Sequence, residues 1–196
     1  MGPLATSAIL LFGVWDLLLL GRLASRWVGA EAATLACFLL ATLFVAGARV
    51  RGLRPERGAL LRVGLGVVAG CAGYPAWVTS IAAVGLALGL APRDPADARS
   101  MGFALIVASV ALAPVFEEIL YRDRLLLALR ARAGAPVAVI VTSVLFALPH
   151  LEAWSVLGTF LVGLALGATR LVAGSLPLCI GIHAGLNLAS VVWSPG

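Results

Sequence analysis

The sequence has few charged side chains and no lysine. Charged residues make up 12% of the chain, whereas 62% are hydrophobic and the mean hydropathy is +1.07. These values lie outside the range of ordinary soluble domains and predict an integral membrane protein. All fourteen basic residues are arginine, and nine acidic residues leave a net charge of +5. Because the arginines cluster between apolar runs, they indicate membrane topology and not a surface that binds nucleic acid.

Cysteine is also scarce, with Cys37, Cys71 and Cys179 isolated within apolar runs. Their odd number and wide spacing argue against a disulfide framework or a metal site, so we interpret all three as small buried hydrophobic residues. A cleavable signal peptide is not indicated either, because the first apolar run follows an uncharged Met1-Gly2-Pro3 and contains Asp16. The first run is therefore expected to remain as a span.

Seven apolar runs are candidates for helices that cross the membrane, which needs about 20 residues each. They cover residues 4–21, 31–48, 62–91, 101–121, 136–150, 154–173 and 176–193. The third is long, but a break at Gly73-Tyr74-Pro75 would leave its first half too short to cross, so one kinked helix is expected. The predicted fold is all-α: a polytopic membrane helical bundle of about seven transmembrane helices, in a single domain over residues 1–196.

The distribution of arginine predicts an orientation for this bundle. Ten arginines follow the second, fourth and sixth runs: Arg49, Arg51, Arg54, Arg57, Arg62, Arg122, Arg124, Arg130, Arg132 and Arg170. The other four lie on the opposite side: Arg22, Arg26, Arg93 and Arg99. Since positive charge collects in cytoplasmic loops, the N-terminus is expected in the cytoplasm. Two helices in the third run would change the orientation of the first two.

Several ionisable residues lie within the apolar runs. Glu117 and Glu118 are adjacent in the fourth run, and the two histidines of the chain, His150 and His183, lie in later runs. Such groups are costly in lipid, so they usually face a protein interior or a wet cavity. By default they mark a functional site.

A tight turn is predicted between the fourth and fifth runs. Gly134 suits a helix C-terminus, and Pro136 suits the first turn of the next helix. Glu117 and His150 both lie about 20 Å from this turn at 1.5 Å per residue, so they should face each other at similar depth. This geometry requires the fourth helix to continue past Arg122 as an amphipathic extension.

Each polar residue also has a purely structural interpretation. Glu118 and Arg122 are four residues apart, so we interpret them as an intrahelical ion pair. Glu117 points about 100° away on the helix and is free to act. His183 and Asn187 have the same spacing and could simply hydrogen-bond helices together. Polar groups on three separate runs nevertheless favour one shared site.

These residues resemble three ordered motifs of a known family. The motifs are Glu117-Glu118-x-x-x-Arg122, Phe146-x-x-x-His150 and His183-x-x-x-Asn187. They are similar to those of the CAAX protease and bacteriocin-processing family, abbreviated CPBP and also called Abi. The resemblance covers about residues 101–193, the expected catalytic core, and includes the run from Thr169 to Pro177. Asp123 departs from the family, since many members have glycine after the motif arginine.

The resemblance implies a metal-independent glutamic intramembrane endopeptidase that needs no cofactor. Glu117 would act as general base on a water held jointly with His150, while His183 and Asn187 would donate hydrogen bonds to the developing oxyanion. Arg122 would hold Glu118 in place. The implied partners are membrane lipids and a membrane-anchored or lipidated protein, or a C-terminal sorting signal. The lysine-free, arginine-rich composition further suggests a bacterial cell membrane.

Other functions are open on the sequence alone. A zinc protease could use Glu117, His150 and His183 as ligands, although the chain has no H-E-x-x-H pair. The same fold could serve a non-enzymatic peptide-binding or immunity protein, a transporter with a proton relay, or a structural scaffold subunit. The complete set of reactive groups favours an enzyme.

Overall fold

A computed structural model of the protein describes residues 3–50, 57–90, 102–150 and 152–193. Within these ranges there are seven helices and no strand. The helices are α1 Pro3–Val28, α2 Ala30–Val50, α3 Ala59–Ala87, α4 Phe103–Ala133, α5 Ala135–Ala147, α6 Ala153–Ala173 and α7 Leu176–Trp193. The predicted all-α bundle is therefore confirmed.

Five of these helices, α1, α3, α4, α6 and α7, are long and apolar enough to cross a membrane. The other two contribute shorter apolar stretches, Ala30–Val45 and Ala135–His150. Each predicted span corresponds to one helix, and the third is a single helix with Pro75 inside it, as expected. The protein is an integral membrane bundle.

The central helix, α4, is not a regular α-helix. Two π-helical segments interrupt it, at Ala108–Leu112 and Glu118–Leu125. Pro114 follows the first segment, and because it has no N–H and its ring crowds the preceding turn, hydrogen bonding there slips from four to five residues. The predicted extension past the polar motif is present. It ends at Gly134, whose φ of 81° is costly for other residues.

The core lies where α4 packs against α1 and α2. Phe116 and Leu120 of α4, Val14 of α1 and Val45 of α2 are each at most 2% exposed. Because lipid is as apolar as these side chains, close packing and not exclusion from water holds such helices together. The interior is therefore sensitive to shape.

Helix α3 lies at the edge of the bundle and contacts α7 through glycine. Only 6% of the membrane-spanning window of α3 is buried, against 50% for α7. A Cβ added at Gly66 of α3 would lie 2.8 Å from the Cα of Gly181 on α7, so the two backbones touch. Gly70 and Gly185 repeat the contact one turn further along, as in other small-residue helix interfaces. This contact fixes the helix that carries the third motif.

One arginine in the topology count has a different role. Arg122 is fully buried in an ion pair inside α4, so its charge is not presented at the membrane surface, and the charge bias on that side is smaller by one. Four other arginines in the count lie outside the described residues: Arg51, Arg54, Arg93 and Arg99. The orientation stays a prediction.

Candidate active site

A buried cluster of charged side chains links α4 to α7. Arg122 Nε lies 3.2 Å from Glu118 Oε2, which is the predicted ion pair, and both side chains are fully buried. The other carboxylate oxygen, Glu118 Oε1, lies 3.1 Å from His183 Nδ1. This second contact is not evident from the spacing within α4, because it depends on how α7 packs. Glu118 therefore orients the histidine of the third motif.

The ring of Phe146 on α5 packs among these groups. The guanidinium carbon of Arg122 lies 4.6 Å from the ring centre, a cation–π contact. The centres of the His183 and His150 rings lie 5.6 and 6.1 Å from that of Phe146, each in an edge-on arrangement. Neither Nη group of Arg122 has a hydrogen-bond partner among the described residues. The contact with the Phe146 ring therefore offsets part of the cost of burying these groups. Phe146 also spaces the two histidines.

A cavity of about 690 Å³ lies beside the cluster. Its polar lining includes Ser109, Glu117, His150, Ser155, Thr159, His183, Asn187 and Ser190. Most of the remaining lining is apolar, including Tyr74, Trp77, Ile81, Phe146, Trp154 and Val162. Mostly apolar walls with a few convergent polar groups are typical of ligand-binding sites. The four residues predicted to be catalytic thus line one cavity.

The two adjacent glutamates have different surroundings. The side chain of Glu118 is fully buried, whereas that of Glu117 is 17% exposed and lines the cavity. Glu117 Oε2 lies 3.7 Å from Nε2 of His183, so this ring lies between both carboxylates. An ionised Glu118 can only accept at this contact, so a hydrogen bond there requires a proton on Nδ1. Nε2 can donate as well only when the ring is doubly protonated.

Asn187 lines the cavity one helical turn after His183. Its Nδ2 donates a hydrogen bond to the backbone carbonyl of Ser109 on α4, at 2.8 Å. A carboxamide nitrogen has two hydrogens, so one donor remains. The shared face with His183 was predicted from the spacing, but the contact with α4 was not.

His150 enters the cavity from the end of α5, where Pro149 interrupts regular hydrogen bonding. The Leu145 carbonyl, four residues before this proline, accepts a hydrogen bond from the Tyr121 hydroxyl at 3.4 Å. Trp15 of α1 donates to the same hydroxyl at 3.3 Å. Helices α1 and α4 therefore anchor the end of α5 that presents the histidine.

Two features near the site lie outside the motifs. Asp123, the departure from the family pattern, pairs with Arg170 on α6 at 3.2 Å and leaves the buried ion pair of α4 intact. Tyr74 and Trp77 of α3 form part of the cavity wall, with ring centres 5.3 Å apart. The sequence signal for such a wall is an aromatic pair that flanks Pro75 within an apolar run.

No group of three or more His, Cys, Asp or Glu side chains that could hold a metal ion occurs in the described part of the chain. Glu117 and His183 face each other, but His150 does not complete such a set with them. The zinc alternative therefore has no ligand set among these residues.

Comparison with known proteins agrees with the motifs. The sequence model of the type II CAAX prenyl endopeptidase Rce1-like family matches residues 99–189. This range contains all three motifs, so the resemblance to the CAAX protease family is confirmed there, and it indicates a CAAX protease-type hydrolase of the membrane. No curated protein and no solved structure was found to match the chain.

Proposed function

We propose, with the family match as premise, that the protein is a glutamic intramembrane endopeptidase that hydrolyses a peptide bond of a membrane-associated substrate. The observation that carries this proposal is the environment of Glu117. It is a cavity-facing carboxylate on the central helix, beside a histidine that a second, buried glutamate orients. Two carboxylates in contrasting environments are a recurring feature of acid–base sites, since one can do chemistry while the other supports it.

Glu117 and His150 hold the attacking water in this proposal. As the water oxygen bonds to the substrate carbonyl carbon, Glu117 takes one of its protons, and the carbonyl π electrons move to the oxygen. When the tetrahedral intermediate collapses, the C–N bond breaks and Glu117 returns that proton to the leaving amine. His150 accepts or donates a hydrogen bond at the water from the end of α5, on the same cavity.

His183 and Asn187 stabilise the oxyanion. The contact of Nδ1 with Glu118 fixes the imidazole, and Nε2 of the doubly protonated ring donates to the negative oxygen. Asn187 adds the N–H that the α4 carbonyl leaves free. Removal of one such donor typically costs about 2.7–4 kcal/mol of transition-state stabilisation.

The cavity wall favours a substrate with an apolar chain. Aromatic side chains from α3 and α6, including Tyr74, Trp77 and Trp154, form much of it. This lining supports a membrane-anchored or lipidated protein, or a C-terminal sorting tail, as substrate. The arginine bias supports an N-terminus in the cytoplasm. The lysine-free, arginine-rich composition supports a bacterial cell membrane.

The test is a cleavage assay on the purified full chain in detergent micelles. Lipidated C-terminal peptides, sorting-tail peptides and unmodified membrane helices are offered separately, and product masses identify the cleaved bond. Glu117→Gln removes the base but keeps the shape, so turnover should fall by about 10²–10⁴ while the melting temperature stays close to native. The exposed Glu31→Gln is the matched control and should cleave normally.

Full activity of Glu117→Gln would overturn the catalytic assignment. Binding of a peptide by the native protein without cleavage of any peptide in the panel would instead support the non-enzymatic peptide-binding alternative.

A further inference from the structure

The backbone of α4 leaves one carbonyl without its usual donor. In the first π-helical segment, the N–H of Ala113 bonds to the carbonyl of Ala108, five residues back. In a regular α-helix this N–H would bond to the carbonyl of Ser109. The next amide belongs to Pro114, which has no N–H. Neither backbone donor that could serve the Ser109 carbonyl is therefore available to it.

Asn187 of α7 supplies the missing donor. Its Nδ2 lies 2.8 Å from the Ser109 oxygen, so this partly buried carbonyl is not left without a donor. A carbonyl oxygen can be faced only by the NH₂ group of a carboxamide, so the contact decides which way round the amide lies. With one hydrogen on Ser109, the second hydrogen of the same nitrogen is left for the cavity that Asn187 lines.

We propose that Pro114 is a positioning residue for Asn187. By leaving the Ser109 carbonyl without a backbone donor, it fixes the Asn187 amide so that a free N–H faces the cavity. Pro114 is fully buried and lies three residues before Glu117. Helix α4 thus carries the proposed base, Glu117, and also orients the proposed oxyanion donor, Asn187 of α7. The benefit to turnover rests on the proposed function, but the orientation of the amide does not.

A second proline in the molecule also leaves a helix carbonyl without a backbone donor. Pro149 removes the N–H that would have served the Leu145 carbonyl, and the Tyr121 hydroxyl donates to that carbonyl at 3.4 Å. In both places a proline, within α4 or just after the end of α5, leaves a helix carbonyl without a donor, and a polar side chain of another helix donates to it. Such compensation is expected in a membrane interior, where freed backbone groups must find partners.

Asn187 can be observed directly, because the chain has one asparagine and no glutamine. A ¹⁵N-labelled full-length sample in micelles should therefore show a single side-chain NH₂ pair, which Asn187→Ala should remove. In the native protein, the hydrogen bonded to Ser109 should be shifted from its free-amide position and protected from exchange. In Pro114→Ala, residue 114 regains an N–H for the helix, so exchange of that hydrogen should accelerate by about tenfold or more.

Pro136→Ala is the matched control for this measurement. Pro136 is exposed in the first turn of α5, where an N–H would have no helical partner in any case. The chemical shifts and exchange rates of the Asn187 NH₂ signals should therefore stay unchanged in Pro136→Ala. Unchanged Asn187 NH₂ signals in Pro114→Ala would overturn the proposal.

Kinetics then separate positioning from general support. Pro114→Ala should lower kcat about tenfold with KM nearly unchanged, because the positioned donor acts mainly in the transition state. In an Asn187→Ala background the same substitution should lower kcat no further, because the group that it positions is gone. Equal losses of kcat in both backgrounds would overturn a positioning role. If Glu117→Gln is fully active, the proposed function fails, and the NH₂ pair alone decides the orientation of Asn187.

Discussion

Near Glu117 and Glu118, the two sides of α4 place charged side chains in contrasting environments. On the inner side, Glu118 and Arg122 are fully buried, and their partners are each other, His183 and the ring of Phe146. On the cavity side, Glu117 is partly exposed and faces open space. Adjacent residues differ this much because a step of about 100° on a helix turns them toward different neighbours.

This difference separates two kinds of substitution. A change on the inner side removes a partner from a buried charge, so it should first lower stability. A change on the cavity side leaves the packing intact, so it should first lower turnover per folded molecule. Comparing the loss of stability with the loss of turnover for each substitution tests whether the inner and cavity sides of α4 have separate roles.

The largest effect is expected from Arg122→Ala. It leaves Glu118 without its cation in a fully buried position and empties the face of Phe146, so folding should lose about 3–5 kcal/mol. Detergent-stable yield and melting temperature measure the loss. Arg130→Ala, an exposed arginine on the same helix, is the control and should change stability by no more than about 0.5 kcal/mol. A native melting temperature for Arg122→Ala would show that Glu118 does not depend on its cation.

Asn187→Ala should show the cavity-side pattern. Turnover should fall by about 10²–10³ with little change in KM, because the lost N–H acts mainly in the transition state. A smaller fall in stability is also expected, since the Ser109 carbonyl loses its partner. The measurement is kcat per folded molecule beside the melting temperature in the same detergent. A lower melting temperature with normal turnover would mean that Asn187 only joins α4 to α7.

The sequence was enough to predict the helices, the turn at Gly134 and the pair formed by Glu118 and Arg122. Each of these depends on local rules: hydropathy over a span, the φ preference of glycine, and side-chain spacing along one helix. The extension of α4 beyond the motif followed from the same turn. The convergence of the polar groups on one cavity was expected from the cost of exposing them to lipid.

The contacts between helices could not be predicted in the same way. The link from His183 to Glu118 depends on the rotation of α7 against α4, which neither hydropathy nor spacing specifies. The bond from Asn187 to Ser109 depends on a slip of backbone hydrogen bonding within α4. The one local signal was Pro114 in an apolar run. A proline predicts an open carbonyl nearby, but not the side chain that occupies it.

Gly185→Ala tests a third surface, where α7 meets α3. A Cβ there would lie 3.0 Å from the amide nitrogen of Cys71, a backbone atom that cannot turn aside, so overpacking should cost about 1–3 kcal/mol. A shift of α3 would also move its cavity wall and raise KM. Gly73→Ala is the control, because nothing lies within 4 Å of an added Cβ at that position of α3. Equal melting temperatures for the two variants would contradict a close backbone contact.

The smallest effect is expected at Asp123, beside the inner pair but outside the cavity. Its side chain is 8% exposed and lies 3.2 Å from Arg170, which is 13% exposed and also donates to the Gly174 carbonyl. Asp123→Asn keeps an acceptor oxygen and removes the charge, so stability should fall by on the order of 1 kcal/mol, a few degrees in melting temperature. Turnover per folded molecule should stay native, since the link joins α4 to the end of α6 and touches none of the groups on the cavity. A loss of turnover as large as that of Asn187→Ala would show that the inner and cavity sides of α4 are not separate. Asp123→Gly, the residue common in the family, should cost about 1 kcal/mol more, because glycine weakens a helix interior.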